Sequence, residues 1–385
     1  MAQTPRKLFE EVGDTPKQTA VETGGIDRGK RGARGAIRIW LMMMFALVMA
    51  MIVVGGLTRL TDSGLSITEW DPISGAIPPM SAEAWDAEFA KYQTTQEYQL
   101  QNKGMTLAEF KVIFWWEWGH RQLGRAIGLV WAVGFFGFLA ARQIPTGWTG
   151  RLFLLGVLGG LQGAIGWWMV HSGLNETAVE LGRTDVASYR LATHLGLAFV
   201  ILGFLAWFTF QMGRSEADLM QSRRDGNRKL FGMSTGLMHF AFLQIILGAL
   251  VAGIDAGRAF PTWPLMGDGF LPPEPFTLTP WWRNFFEDAG LVQFIHRMSG
   301  YLLMIYAIVV WNRARKSANS KTRFAFNAVL AMMVLQMAIG IVTVLQQAHL
   351  HIAITHQIGA VVLWVLILRA RYLSRYPLAQ SVREA

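Results

Sequence analysis

The chain has 385 residues, 52% of them hydrophobic and only 16% charged, against roughly 25% charged in an ordinary soluble domain, which speaks against a water-soluble enzyme. Sixteen Trp, 24 Phe and 40 Gly suit membrane helices and their interfaces. The net charge is +9 and cysteine is absent, so disulfides, thiolate metal sites, iron–sulfur clusters and cysteine nucleophiles are excluded, and any metal falls to His, Met, Tyr or carboxylate.

Residues 1–36 mix acids with bases, lack an apolar face and read as a cytoplasmic tail. The first apolar run, Ile39 to Leu57, is about 28 Å long as a helix and nearly spans a hydrocarbon core of ~30 Å. It is longer than a signal-peptide core and follows a long polar leader, so it reads as a retained span. Further spans are predicted over 119–141, 151–171, 189–212, 231–254, 291–312, 323–346 and 350–369, making an all-α integral membrane protein of eight transmembrane helices. Basic residues gather before the first span (Arg28, Lys30, Arg31, Arg34, Arg38) and after every even-numbered one, as in Arg223, Arg224 and Arg228. The opposite loops lean acidic, with nine Asp/Glu against four Lys/Arg over 58–118. Both termini are therefore expected in the cytoplasm, and the basic balance follows from topology, with no nucleic-acid partner.

An internal repeat organises the chain. Gly55, Asp62, Gly64, Trp70 and Pro79 recur at constant offset as Gly248, Asp255, Gly257, Trp263 and Pro272. Leu161-Gln162 with Gly166 matches Leu335-Gln336 with Gly340, and His120-Arg121 with Gly124 matches His296-Arg297 with Gly300. The expectation is two tandem four-helix bundles related by a pseudo-two-fold repeat: 37–212 and 231–371, joined by a cytoplasmic linker over 213–230 and followed by a tail over 372–385.

Four of the eight histidines, His120, His194, His296 and His356, stand near the starts of spans two, four, six and eight. An ionisable residue at membrane depth is by default a functional candidate. Any one of them alone reads more plainly as a histidine satisfied by a backbone carbonyl. Four in register suggest paired neutral imidazoles holding a haem iron from both faces, thiols being absent. One turn on stand Gly124, Ala198, Gly300 and Ala360, small enough for a flat macrocycle or simply for close helix packing. Glu117 precedes His120 by three residues and shares its face if the helix begins that early, whereas Gln293 occupies the corresponding place before His296. The asymmetry suggests chemistry at the first site and a fixed cofactor at the second. A carboxylate that merely complements a helix start is the competing reading of Glu117. Arg121, Arg125 and Arg297 can pair with propionates or snorkel to water. His171, His239, His349 and His351 read as structural, and Gln162, Gln244 and Gln336 as helix-to-helix bonds.

These stretches together resemble the haem A synthase family: Gly55 to Thr61, Trp70-Asp71-Pro72, Glu117 to Arg125, the His194 region, Thr262-Trp263-Pro264, His296-Arg297 and Thr355-His356-Gln357. The likeness runs from about residue 37 to 371, and the cysteine pairs of some members are missing. The resemblance implies stepwise oxidation of a ring methyl of haem O to a formyl group, giving haem A for terminal oxidases in a bacterial inner membrane. It implies that Glu117, His120 and His194 serve the substrate haem O, and that His296 and His356 ligate a resident haem b beside Arg297, Gly300 and Ala360. Expected partners are membrane lipid, a haem O synthase, an electron donor and a second copy in a homo-oligomer.

Two chemical routes stay open. A bis-imidazole iron has no free position, so direct oxygen activation needs a ligand to leave; alternatively the porphyrin loses electrons and water attacks the methyl carbon, with Glu117 as proton acceptor or as a stabilising charge. A di-haem b-type electron-transfer protein needs the four histidines but no acid. A transporter suits the duplicated halves but not the scarcity of charge within the spans.

Overall fold

The computed structural model describes residues 31–180 and 182–380. Those residues are helical, without a named strand, and eight helices are long and apolar enough to cross a membrane. They are α1 (Arg31–Leu60), α2 (Leu107–Ala140), α3 (Thr149–Leu174), α4 (Ser188–Met212), α5 (Arg228–Gly253), α6 (Ala289–Ala314), α7 (Ser320–Leu345) and α8 (Leu350–Arg375). Most of the expected tails, residues 1–30 and 381–385, lies outside the described residues; the leader's last residues already belong to α1 and the start of the second tail to α8.

The largest departure from the sequence reading is α2, which begins at Leu107 rather than near 119. Thr106 and Glu109 form a capping box, Glu109 N–H donating to Thr106 Oγ1 (3.3 Å) and Thr106 N–H to the Glu109 carboxylate (2.8 Å). Two of the helix's orphan donors are thereby satisfied. Glu117 and His120 therefore sit well inside one helix, on one face.

Neighbouring helices pack in closed circuits: α1 with α2, α2 with α3, α3 with α4 and α4 with α1, then α5 with α6, α6 with α7, α7 with α8 and α8 with α5. The circuits meet where α4 packs on α5 and α8, and α1 on α8. That seam is the core, with Leu41, Phe199, Leu202, Leu205, Leu237, Trp364 and Ile367 all buried. Lipid tails are as apolar as leucine, so association depends on close packing and interhelical hydrogen bonds. Both are present: Gly134 lacks a side chain where the Trp40 indole packs, whose Nε1 donates to Val130 O (3.1 Å), and Trp364 Nε1 donates to Phe199 O (3.2 Å). By contrast Leu129, Val133 and Phe136 on α2 and Phe153, Val157 and Leu161 on α3 are exposed, as a lipid-facing surface requires.

At the end carrying the long connections, one cation ties the loops together. Arg59 reaches Asp62 (2.9 Å), Asp255 (3.1 Å) and Asp185 (3.5 Å). Asp62 and Asp255 are repeat equivalents and both adopt positive φ (47° and 50°), a conformation in which Asp is enriched among non-glycine residues.

Candidate functional site

His120, His194, His296 and His356 fall on α2, α4, α6 and α8, and each ring turns its Cε1 edge onto a glycine of the preceding helix. A Cβ built on Gly55 lies 2.9 Å from His120 Cε1, on Gly166 2.9 Å from His194 Cε1, on Gly248 3.0 Å from His296 Cε1, and on Gly340 2.9 Å from His356 Cε1. Real Cβ atoms do not approach that closely, so the missing side chain is what lets each imidazole lie flush on its neighbour. His194 stands within electrostatic range of His120, and His296 within that of His356. Since α2 and α4 stand across one circuit, and α6 and α8 across the other, each pair combines opposed helices. Among the described residues no group of three or more His, Asp or Glu side chains is arranged to hold a metal.

One turn before three of those glycines stands a glutamine. Gln162 Nε2 donates to the backbone carbonyl of His194 (3.0 Å), Gln244 Nε2 to that of His296 (2.9 Å) and Gln336 Nε2 to that of His356 (2.8 Å). The same amide nitrogens lie 3.3, 3.1 and 3.2 Å from the respective Nδ1 atoms. The glutamines thus bridge helices at the backbone of each of these histidines. The glycine seats were missed in the sequence, although Gly55/Gly248 and Gly166/Gly340 stood out as repeat pairs. The small residues one turn after the histidines also line this seam: Gly124 faces the Met51 methyl and Gly300 the Gln244 amide, while Ala198 is buried and Ala360 half-buried.

Glu117 is buried and fully engaged. Its Oε1 accepts from Arg121 Nη2 (2.6 Å) and Nε (3.1 Å), and its Oε2 from Ser66 Oγ (2.8 Å) and Ile67 N–H (2.8 Å). Arg121 continues to the carbonyls of Ile67 and Glu69 (both 2.9 Å). The second half builds a similar clamp in which only the loop-side bond is reversed: Gln293 Nε2 donates to Ala256 O (2.9 Å), its Oε1 accepts from Arg297 Nη2 (3.2 Å), and Arg297 holds the carbonyls of Thr262, Pro264 and Leu265. Arg125 donates to the carbonyls of Asp71 (2.8 Å) and Pro72 (3.0 Å), leaving its Nη1 buried with no protein partner, as is Trp118 Nε1. The Trp-Asp-Pro and Thr-Trp-Pro stretches are thus gripped through their carbonyls by arginines beside the paired histidines.

The other four histidines stand apart. His171 stacks on Trp167, His239 Nδ1 bonds the carbonyl of Thr235, and His349 and His351 face one another; all four are exposed.

The loop over the first site buries a second acid. Glu97 is 3% exposed, accepting from Tyr92 Oη (3.1 Å) and Asn102 Nδ2 (3.3 Å). Burial pushes its carboxyl up to about 8, with the Asp185, Asp62 and Glu117 carboxylates adding to the effect and the Tyr92 hydroxyl opposing it. A carboxyl raised in this way supports the fold most below its ordinary 4.5, and that support is lost as pH rises through about 8. Hydrogen exchange over residues 82–105, relative to its intrinsic pH dependence, is therefore expected to quicken between about pH 5 and 8, and Glu97→Gln to flatten the dependence; equal slopes in the two proteins would refute it.

The sequence profile of the Cytochrome oxidase assembly protein family matches residues 38–368. Heme A synthase of Ruegeria sp. (strain TM1040) is 66% identical over 379 residues, which cover 98% of this chain and 99% of that protein. Heme A synthase of Paracoccus denitrificans (strain Pd 1222) is 59% identical over 379 residues, covering 98% of each. Heme A synthase of Cereibacter sphaeroides (strain ATCC 17029 / ATH 2.4.9) is 56% identical over 393 residues, covering 100% and 99%. With a profile match across most of its length and relatives this similar from end to end, the chain belongs to the cytochrome oxidase assembly family of haem A synthases.

Proposed function

We propose that this chain oxidises a ring methyl of haem O to a formyl group in successive steps, giving haem A. The observation that carries the reading is the seating of four imidazoles on four glycines of the preceding helices in a member of this family. The residues fit haem in three respects. The candidate ligands are imidazoles, and among the described residues no carboxylate joins them in a group of three or more. Each ring lies in a cradle that a Cβ would fill. Arg125 Nη1 is a buried donor without a protein partner, as needed to receive a propionate. Bound haem supplies a redox-active iron and a conjugated ring from which electrons can be withdrawn.

In this reading His120 and His194 hold the substrate haem O, and His296 and His356 hold a resident haem b beside Arg297, Gly300 and Ala360. Glu117 is the catalytic carboxylate of the first site. Its four accepted bonds leave no lone pair for a proton unless Arg121 or the Ser66 loop lets go, so it stabilises positive charge developing on the substrate. The two helical circuits are tandem four-helix bundles, 37–212 and 231–371, related by the repeat. The protein is an oxidoreductase of the bacterial inner membrane with both termini and the basic loops, including 213–230, in the cytoplasm. It takes haem O from a haem O synthase and works with an electron donor, membrane lipid and further copies of itself.

Extraction and chromatography of the haems in purified protein test this. Haem B together with haem O or haem A is expected; His120→Ala and His194→Ala should lose the haem O or A fraction and retain haem B, and His296→Ala and His356→Ala the reverse. Haem B alone at two per chain would replace the synthase with an electron-transfer protein.

A further inference from the structure

At the end of the bundle opposite the histidines, four arginines converge on a cavity of about 460 Å³. The short helix Glu216–Arg224 contributes Met220, Arg223 and Arg224 to its walls, the first turn of α5 Arg228 and Phe231, and the last turn of α8 Arg375. The walls are pinned together. Asn227 N–H donates to Ser374 O (2.9 Å), and Asn227 Oδ1 caps α5 by accepting from Leu230 N–H (2.9 Å). A Cβ on Gly226 would lie 2.5 Å from Arg375 O, so the turn comes this close to α8 only without a side chain.

No acid lines the cavity. Among the described residues Arg223, Arg224 and Arg228 make no side-chain hydrogen bond or ion pair, even with Asp225 beside them. Arg375 lies over the Phe231 ring (4.8 Å) and leaves its Nε buried without a hydrogen-bond partner. Other arginines at this end are engaged: Arg34 with Glu216 (3.1 Å), Arg214 with Asp218 (2.7 Å) and Arg371 with Thr235 Oγ1 (2.9 Å). Topology accounts for basic residues on one side of a membrane, but not for their convergence, unpaired, around one cavity. Like charges brought together cost free energy that a counter-anion recovers. Arg228 adds to the cost by standing at the positive end of the α5 dipole.

We infer that this cavity binds the phosphate of an anionic phospholipid. Guanidinium groups match phosphate oxygens two at a time. A dissolved phosphate offers the same chemistry, but the depth favours lipid. Both α5 and α8 are long and apolar enough to cross a membrane, so a cavity at their ends lies at headgroup level, where basic pockets between spans take acidic headgroups. Met220 and Phe231 supply apolar surface beside the arginines, as the glycerol backbone and the start of an acyl chain require. An occupant braces the connection between the two helical circuits against α8.

Native mass spectrometry of the full-length holoprotein in neutral detergent, after addition of phosphatidylglycerol, phosphatidylcholine or inorganic phosphate, reads the occupant. Phosphatidylglycerol is expected to stay bound where phosphatidylcholine does not. Arg224→Gln combined with Arg228→Gln should weaken its retention about 30-fold, at about fivefold for each arginine near an anionic headgroup. Arg224→Lys with Arg228→Lys keeps the charge and should keep most of the binding, which separates loss of the site from loss of the fold. Arg315→Gln with Lys316→Gln removes the same charge from the same end, away from the cavity, and should change nothing. Equal losses in the two glutamine pairs would overturn the inference, as would equal retention of phosphatidylcholine. Displacement of the lipid by inorganic phosphate would also overturn it, making the cavity a site for the free anion.

Discussion

Glu117→Gln is expected to reduce haem A formation about 100-fold or more, on the scale of losing a group that acts on charge in a transition state, while the protein still binds both haems. The histidines are untouched, so ligation persists. What changes is the clamp: an amide can accept with only one end. If its oxygen keeps Ser66 and Ile67, its NH2 group meets the Arg121 guanidinium, and if it keeps Arg121, it meets the donors of Ser66 and Ile67. Either way about 1.5–3 kcal/mol per lost charge-assisted bond is withdrawn from the packing of the loop on α2. Ser66→Ala separates the two contributions, since it removes one of these bonds and keeps the charge. If Glu117 serves only to fasten the loop, Ser66→Ala should lower yield in proportion to its loss of stability. If the charge acts on the substrate, Ser66→Ala should remain near wild-type yield with Glu117→Gln inactive. Full product from Glu117→Gln would remove the residue from the chemistry.

The number of spans, their approximate limits and the equivalent places of the four histidines were legible because each rests on local pattern: apolar length and repeated letters. The start of α2 was not, because Glu109, Lys111 and Glu117 interrupt the apolar run that marks a span. The signal that could have found it was the Thr106 to Glu109 capping box. The arginines were read as propionate partners or as snorkelling to water, and most of their donors go to loop carbonyls, which carry no side-chain signature in a sequence. Glycine was the least transparent residue. Gly159 and Gly163 on α3 meet nothing within 4 Å, while Gly166 on the same helix carries His194. Which glycine faces an imidazole is decided by the rotation of one helix against another, a property of the packed pair and not of either segment.

That difference among glycines makes the second prediction sharp. Gly248→Ala and Gly340→Ala are expected to strip haem B from the protein, and Gly55→Ala and Gly166→Ala to strip haem O or A, each by about 10- to 100-fold in affinity, the scale set by disturbing what orients a ligating histidine. The added methyl would stand 2.9 to 3.0 Å from Cε1 of the facing ring, closer than carbon atoms pack at their optimal separation of about 3.5–4.0 Å. The ring must move by roughly half an ångström or more to relieve the contact, whereas a metal–ligand distance tolerates only about 0.2 Å. Overpacking by one methyl typically costs about 1–3 kcal/mol, so the helices should still assemble while the imidazole loses its position. Gly163→Ala, one turn from Gly166 and facing open space, is the matched control and should keep both haems. Should Gly340→Ala retain haem B at the wild-type level, His356 would have to reach its ligand from some other face of the ring's surroundings, and the seats on the preceding helices would be ordinary close packing.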